Sequence, residues 1–211
     1  VSEGVHYSTL KSSSCIVRLI WCARFIKWKH PELAIDCARK LKEEGCSFIL
    51  DMYGDGMLRP LMESRVQNWG LSDVVKFHGN VPNNIIQQAM KMSDICLFTS
   101  DRQEGWGAVA NEAMAAQCCL VGSQEIGSVP YLIKEGINGL TFKSNSSSDL
   151  LSKIKSLIYN PSQRKLLAEH GYNDMLNYWS PKHAAESLLQ LIEDIQRGSK
   201  TTIKEGPCSI A

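Results

Sequence analysis

Apolar residues along the chain follow two alternating patterns, short continuous runs and repeats at helical spacing. The first run, 15–23 (CIVRLIWCA), is rich in β-branched residues and predicts a buried strand. The segment after it has Pro31 near its start, Gly45 at its end and apolar residues at helical spacing between them, which predicts a helix. The rest of the chain repeats this unit of a strand followed by a helix.

Helical patterns recur at 57–70 and 82–93, and a further helix is predicted to begin near Ala108. Residues 150–196 have the pattern of helices interrupted by prolines. The remaining segments are predicted strands at 47–54, 74–81, 94–100, 118–123 and 140–143, and a Gly/Pro-rich turn at 127–140. Short loops between alternating strands and helices require parallel pairing with right-handed crossovers. The pattern therefore predicts an α/β fold, a Rossmann-like doubly wound parallel sheet with helices on both faces.

Length and charge limit the functions that such a chain can have. With 211 residues it can bury a substantial core, so we expect one large domain. Its 23 basic and 22 acidic residues are spread along the chain and give a net charge of +1. This balance provides no extended cationic face for a polyanion, so nucleic acid is not an expected partner.

The cysteines and the apolar stretches indicate where the protein works. The eight cysteines include no CxxC pair of the kind that binds zinc, so we expect reduced thiols in a cytoplasmic protein. No apolar stretch approaches the ~18 residues of a membrane span, and no signal-peptide pattern opens the sequence. Because the chain begins with Val just upstream of a strand pattern, we expect a fragment of a longer protein.

Glycine turns and charged residues follow the predicted strands, and in a doubly wound sheet these loops meet at one edge, where ligands bind. Glycines let backbone N–H groups approach an oxyanion, and the helix beginning near Ala108 points its positive end to the same place. The pattern therefore predicts an anion site. The loop residues are Arg24 and Lys29, Gly54 and Gly56, His78 and Gly79, and Glu104, Gly105, Trp106 and Gly107.

Arg24 and Lys29 are the candidate phosphate ligands. A guanidinium binds phosphate as a planar fork and an ammonium binds it as a point charge, so together they could clamp a diphosphate. The alternative is that both are ordinary solvated cations of a loop. Only their combination with the glycine turns favours a binding site.

Glu104 and Glu112 lie around a Gly-Trp-Gly turn in the segment EGWGAVANEAMAAQ. Carboxylates repel phosphate, but a carboxylate accepts two or more hydrogen bonds and a vicinal diol donates two. An acidic side chain that holds ribose is a recurring feature of nucleotide-binding sheets, so sugar hydroxyls are the expected ligands. The alternative for Glu112 is that it only complements the dipole of its helix.

As a set, these motifs resemble the retaining glycosyltransferases of the large family 4 group, which have the two-domain GT-B architecture. The resemblance runs from about Ile16 to about Glu193. The segments that carry it are EGWGAVANEAMAAQ for the Glu-x7-Glu signature, ARFIKWKHPELAIDCARKL for the Gly-Arg-Leu…Lys-Gly segment, MYGDG for the Gly-x-Gly turn, VKFHGNVP for the Phe-x-Gly-x-Val strand and GSVPYLIKEGINGLTF for the Gly-Gly-x-Pro-Glu block.

The resemblance implies a carboxyl-terminal donor-binding domain that transfers a hexosyl group from a UDP- or GDP-sugar, with retention of configuration and without a metal or other cofactor. It implies that Arg24 and Lys29 neutralise the diphosphate. Glu112 would hold the ribose hydroxyls, and Glu104 would hold hydroxyls of the transferred sugar. The further donor-binding residues that it implies are Gly54, Gly56, Gly105, Trp106 and Gly107.

The sequence departs from the family pattern at several positions. Ala23 and His30 replace glycines beside the arginine and the lysine, which implies a stiffer loop. Gln117 stands where a left-handed residue is preferred, at a cost of ~1 kcal/mol. Ser128 replaces a glycine and Tyr131 replaces a glutamate in the Gly-Gly-x-Pro-Glu block, so the side of the site that faces the diphosphate or the acceptor departs from the family pattern.

The family's amino-terminal acceptor domain is expected to be missing here. We expect a remnant of the interdomain linker at 1–14, the nucleotide-sugar-binding domain at 15–197 and a flexible tail at 198–211. The segment YWSPKHAAESLLQLIEDI resembles the terminal helix that reaches back toward the acceptor domain, so we expect part of its apolar face to be uncovered. We therefore expect the chain alone to bind donor weakly and to transfer poorly.

The resemblance also implies that the full-length protein works in the cytoplasm, with peripheral association at the cytoplasmic face of a membrane, in polysaccharide biosynthesis. Two other classes of function stay open. One is a related fold that uses a sugar nucleotide otherwise, such as an epimerase or a hydrolase. The other is a binding or regulatory module without catalysis of its own.

Overall fold

Six strands pair in parallel to form one sheet in the computed structural model, which describes residues 16–209. They are β1 Val17–Cys22, β2 Phe48–Tyr53, β3 Val75–Gly79, β4 Ile95–Phe98, β5 Cys119–Ser123 and β6 Leu140–Phe142. Their order across the sheet is β3-β2-β1-β4-β5-β6. Strands β2 and β3 are added on one side of β1, whereas β4, β5 and β6 are added on the other side. The strand order therefore reverses between β1 and β4, which is where doubly wound sheets open a ligand crevice. The predicted fold class is confirmed.

Helices cover both faces of this sheet. They are α1 Pro31–Glu43, α2 Arg59–Asn68, α3 Asn83–Met92, α4 Val109–Ala115, α5 Val129–Leu132, α6 Ser147–Tyr159, α7 Pro161–Asn177 and α8 Pro181–Gln196. Side chains of β1 alternate between two buried cores: Leu19 and Trp21 lie in the core under α1, α2 and α6, whereas Ile20 lies in the core under α3, α4 and α5. This alternation follows from the period of two along a strand.

Local signals fix the helix boundaries. Prolines occupy the first turn of α1, α7 and α8, where the missing N–H costs no helical hydrogen bond. Ser146 and Ser180 cap α6 and α8 by accepting from backbone N–H groups. The segment 127–140, predicted as a turn, differs from the prediction because it contains the short helix α5, with Pro130 in its first turn.

The last described residues contact the body of the domain. The carboxylate of Glu205 lies 2.8 Å from the ammonium of Lys134, and the N–H of Thr202 donates to Asp194 at 3.2 Å. The expected linker remnant at 1–14 lies outside the described residues, and the boundaries at 15 and 197 stay predictions. None of the helices within residues 16–209 has the length and apolar character of a membrane span.

Helix α8 has an apolar side that the rest of the described chain leaves exposed. Leu189 is 63% exposed and Ile195 is 66% exposed, although Trp179, just before the helix, packs against the core under α3, α4 and α5. Scattered exposed leucines are normal in soluble domains, but this side carries several on successive turns. The exposed apolar residues of α8 are Leu188, Leu189, Ile192 and Ile195.

Candidate functional site

A lysine and a glutamate from distant parts of the sequence meet at the carboxyl ends of β1 and β4. The ammonium of Lys29 pairs with the carboxylate of Glu104, and both side chains are only 14% exposed. The hydroxyl of Ser100 donates to the same carboxylate oxygen of Glu104 at 3.2 Å. The sheet topology therefore joins one predicted phosphate ligand directly to one predicted sugar ligand.

Arg24 contributes a second positive charge beside this pair. Its guanidinium lies over the ring of Trp28, 5.8 Å from the ring centroid. Burial and then the neighbouring charge of Arg24 lower the pKa of Lys29, whereas the adjacent Glu104 carboxylate favours the ammonium form. The loop after β1 thus presents two cations side by side at the end of the sheet.

Two loops are tied together beneath these charges. The hydroxyl of Thr99 donates to the carbonyl of Lys29 at 2.7 Å and accepts from the indole N–H of Trp21 at 2.8 Å. The N–H of Asp101 donates to the carbonyl of Trp28 at 3.0 Å. These bonds fix the short 3-10 helix Lys27–Lys29. Sequence reasoning missed Thr99 and Asp101, although both follow β4 at the predicted ligand edge.

His30 completes this link. It has a positive φ of 48°, at a position where the family pattern has glycine. Its two ring nitrogens lie 2.7 Å from the carboxylate of Glu32 and 3.1 Å from that of Asp101. The side chain therefore offsets an unfavourable backbone conformation by connecting the loops after β1 and β4.

Gly54 and Gly56 let the loop after β2 pack closely against the loop that carries Arg24. A Cβ atom at Gly54 would lie 2.0 Å from the carbonyl oxygen of Ala23, and one at Gly56 would lie 2.6 Å from that of Phe25. Their own N–H groups donate to Gly79 and to the side chain of Asp55. The two glycines shape the site, and their direct contact with a donor stays a prediction.

The turn after β4 depends on two glycines, Gly107 within the turn and Gly127 in the loop after β5. Gly107 has a φ of +75°, and a Cβ there would lie 2.3 Å from the ring of Phe98. A Cβ at Gly127 would lie 1.8 Å from the carbonyl oxygen of Gly105, and the N–H of Gly127 donates to the carbonyl of Glu104 at 3.1 Å. The backbone on both sides of the Glu104 side chain is therefore closely confined.

Glu112 lies on α4, the helix that follows the turn at Gly105 and Gly107. Burial raises the pKa of the Cys22 thiol at the end of β1, and the Glu112 carboxylate contributes to this increase. Its side chain is partly buried. Arg24 and Lys29 follow β1 and Glu104 follows β4, so these three residues lie at the edge formed by the ends of those strands, and Glu112 lies on the helix that begins after the Glu104 turn.

Trp106 forms an exposed aromatic surface beside the turn. Its indole N–H donates to Asn111 at 2.8 Å, which fixes the ring, and 38% of the residue is exposed. Its ring centroid lies 6.0 Å from that of Tyr131 and 5.4 Å from that of Trp179. At the end of α4, Gln117 adopts the left-handed conformation with a φ of 55°.

Known proteins with similar sequences are glycosyltransferases by name. A family model described as "Glycosyl transferases group 1" matches residues 18–174. An uncharacterized glycosyltransferase of Methanocaldococcus jannaschii is 28% identical over 152 residues, which are 72% of this chain and 41% of the relative. The amylovoran biosynthesis glycosyltransferase AmsK of Erwinia amylovora is 30% identical over 128 residues, which are 58% of this chain and 31% of the relative.

Solved structures share the fold. The Anabaena protein HepE in complex with UDP superposes with a TM-score of 0.72 at 21% identity, covering 86% of this chain and 48% of HepE. The C-terminal domain of a group 1 glycosyl transferase, LpcC of Francisella tularensis, gives a TM-score of 0.71 at 23% identity, covering 84% of this chain and 100% of that domain. The chain spans less than half the length of the curated relatives it matches.

Proposed function

The chain belongs to the Glycosyl transferases group 1 family, and from this premise we propose that it is the carboxyl-terminal donor-binding domain of a retaining, family 4 glycosyltransferase. The observation that carries the proposal is the contact of Lys29 with Glu104 at the switch point of the sheet. In this proposal the cation binds phosphate and the adjacent carboxylate binds hydroxyl groups. A nucleotide-diphosphate sugar fits this pair because its phosphate is bonded directly to a sugar that carries hydroxyl groups.

The proposed donor is a UDP- or GDP-sugar. The sheet edge of this chain corresponds in fold to that of HepE, whose structure contains UDP. We propose that Arg24 and Lys29 bind the diphosphate and that Glu112 binds the ribose hydroxyls. Glu104 then binds hydroxyls of the transferred sugar, next to backbone groups of Gly105, Trp106 and Gly107.

The proposed rate enhancement is electrostatic. The diphosphate gains negative charge as the glycosidic bond breaks, so fixed cations stabilise the transition state more than the ground state. The backbone of Trp28 and Lys29 is hydrogen-bonded to the loop after β4, and the Arg24 guanidinium lies over the Trp28 ring, so the proposed cations sit on a loop that is held in place before the donor binds. In this proposal these side chains, without a metal ion, balance the charge of the leaving group.

The acceptor is proposed to bind to a second domain outside this chain. The partial coverage of the relatives and the exposed apolar side of α8 both support a missing partner surface. The isolated chain is then expected to bind donor weakly and to transfer sugar poorly. We further propose that the whole protein takes part in polysaccharide biosynthesis and works peripherally at the cytoplasmic face of a membrane. The first part of this proposal is supported by the name of the Erwinia relative, which refers to amylovoran biosynthesis.

A thermal-shift screen tests donor binding. At concentrations well above Kd, at least one of a series of UDP-, GDP- and ADP-sugars is expected to raise the melting temperature of the chain, because a ligand that binds only the folded state stabilises it. Glu112→Ala is expected to abolish this shift by removing the ribose ligand. Glu186→Ala, at an exposed carboxylate of α8, is the matched control and should keep the shift. A screen without any stabilising nucleotide, or a full shift in Glu112→Ala, would contradict the proposal.

A further inference from the structure

The carboxylate of Glu104 pairs with the ammonium of Lys29, the group that the proposed function assigns to a phosphate. Resting on the proposed function, we propose that Glu104 competes with the diphosphate for Lys29 and thereby makes the site prefer a nucleotide sugar to the free nucleotide diphosphate. Glu104 is then a specificity-determining residue. It discriminates between the donor and the nucleotide product that remains after transfer.

The first step of the argument is that Glu104 cannot easily turn away. Its N–H donates to Asp101 at 3.0 Å, and its carbonyl accepts from Gly127 at 3.1 Å. Its side chain is only 14% exposed, and its carboxylate pairs with the Lys29 ammonium and accepts from the hydroxyl of Ser100 at 3.2 Å. The carboxylate is therefore confined near Lys29.

Lys29 is confined as well. The hydroxyl of Thr99 holds its carbonyl, and only 14% of its side chain is exposed. A diphosphate that binds its ammonium group must therefore share it with Glu104 or replace Glu104. At this short range two anions repel each other, and the site is too buried for water to screen them fully.

The second step concerns what happens to Glu104 once the diphosphate holds Lys29. Its carboxylate then keeps the hydroxyl of Ser100 and loses its cation, in a site where a partly buried charge needs partners. The hydroxyl groups of a donor sugar can replace the lost hydrogen bonds. A free nucleotide diphosphate has no such groups, so its binding leaves Glu104 with too few partners.

The Glu104→Gln variant separates the competition for Lys29 from the hydrogen bonding to the donor sugar. The variant removes the competing charge but keeps the size of the side chain, so UDP or GDP should bind about fivefold more tightly, the equivalent of one partly buried ion pair. UDP-glucose or GDP-mannose should not gain this factor, because the charged hydrogen bonds to the sugar are weakened at the same time. The ratio of Kd for the nucleotide to Kd for its sugar form should therefore fall at least about fivefold.

Isothermal titration calorimetry on the chain with UDP, UDP-glucose, GDP and GDP-mannose measures these ratios. Glu186→Gln makes the same change of net charge at an exposed position of α8 and should leave every Kd unchanged. Glu104→Ala should tighten the binding of the nucleotide as Glu104→Gln does, and the unliganded melting temperature of each variant reports whether it folds. Weaker or unchanged nucleotide binding in a folded Glu104 variant overturns this inference and leaves the proposed function intact. Absence of binding to all four probes by the unaltered chain overturns the proposed function, and this inference with it.

Discussion

At Gly54 a methyl group would collide with the backbone that leads into Arg24. Its φ of +118° also lies in the region that disfavours side chains, and the clash at 2.0 Å is with a carbonyl oxygen that cannot rotate away. We expect Gly54→Ala to lower the free energy of unfolding by about 3 kcal/mol, from backbone strain and overpacking together.

Gly45 provides the matched control for this effect. It has a φ of +72°, but a Cβ atom there would have no other atom within 4 Å. Gly45→Ala should therefore lose only about 1 kcal/mol, which is the conformational part alone. Urea denaturation of both variants measures the difference, and equal losses would show that the close approach to Ala23 does not matter.

Single residues also show which features of the site could be predicted from the sequence and which could not. The positive φ values of His30 and Gln117 occur at positions where the family pattern has glycine, so their backbone conformations follow from the motif. Their side-chain contacts do not follow from it. His30 bonds to Asp101 only because the sheet order places the loop after β4 beside the loop after β1.

At the scale of elements, hydrophobic periodicity was enough to predict the parallel sheet. The runs that form β1, β2 and β4 are short, apolar and separated by helical patterns, and few topologies satisfy such an alternation. The site was predictable as a set of strand-end loops for the same reason. The pairing of Lys29 with Glu104 was not, because periodicity carries no information on which side chains of neighbouring loops meet.

Thr99 tests the connection between these loops. Its hydroxyl is buried between the indole N–H of Trp21, which is 1% exposed, and the carbonyl of Lys29. Thr99→Val keeps the shape but leaves both partners without a hydrogen bond, so we expect a loss of about 2 kcal/mol in the free energy of unfolding. The loop that carries Lys29 should also loosen, and nucleotide affinity should fall.

The control for Thr99 is a hydroxyl that makes one bond on the surface. Ser156 donates to the carbonyl of Lys153 at 2.7 Å on the exposed side of α6. Ser156→Ala should change stability by less than about 0.5 kcal/mol and should leave nucleotide affinity unchanged. If Thr99→Val has an equally small effect in denaturation and titration experiments, the link through Thr99 does not hold the loop.

At the scale of the whole molecule, the two cores and the apolar side of α8 contribute differently to the stability of the folded chain. The cores under both faces of the sheet are closed, as shown by Leu157 of α6, which is 0% exposed. Leu189 of α8 is of the same residue type but is 63% exposed. Burial is what converts an apolar side chain into stability, so the two leucines should respond very differently to truncation.

We expect Leu157→Ala to lower the free energy of unfolding by about 2 to 5 kcal/mol, because it leaves a cavity in a closed core. Leu189→Ala should change it by less than about 0.5 kcal/mol in this chain, because the side chain is already largely in water. Urea denaturation of both variants gives the comparison. A large loss in Leu189→Ala would mean that α8 is covered in solution by a contact within the chain or with a second copy.

In a longer protein that contains the proposed acceptor domain, the same Leu189→Ala change should become destabilising, because there the leucine would be buried against that domain. The difference between the two contexts measures the contribution of the proposed partner surface.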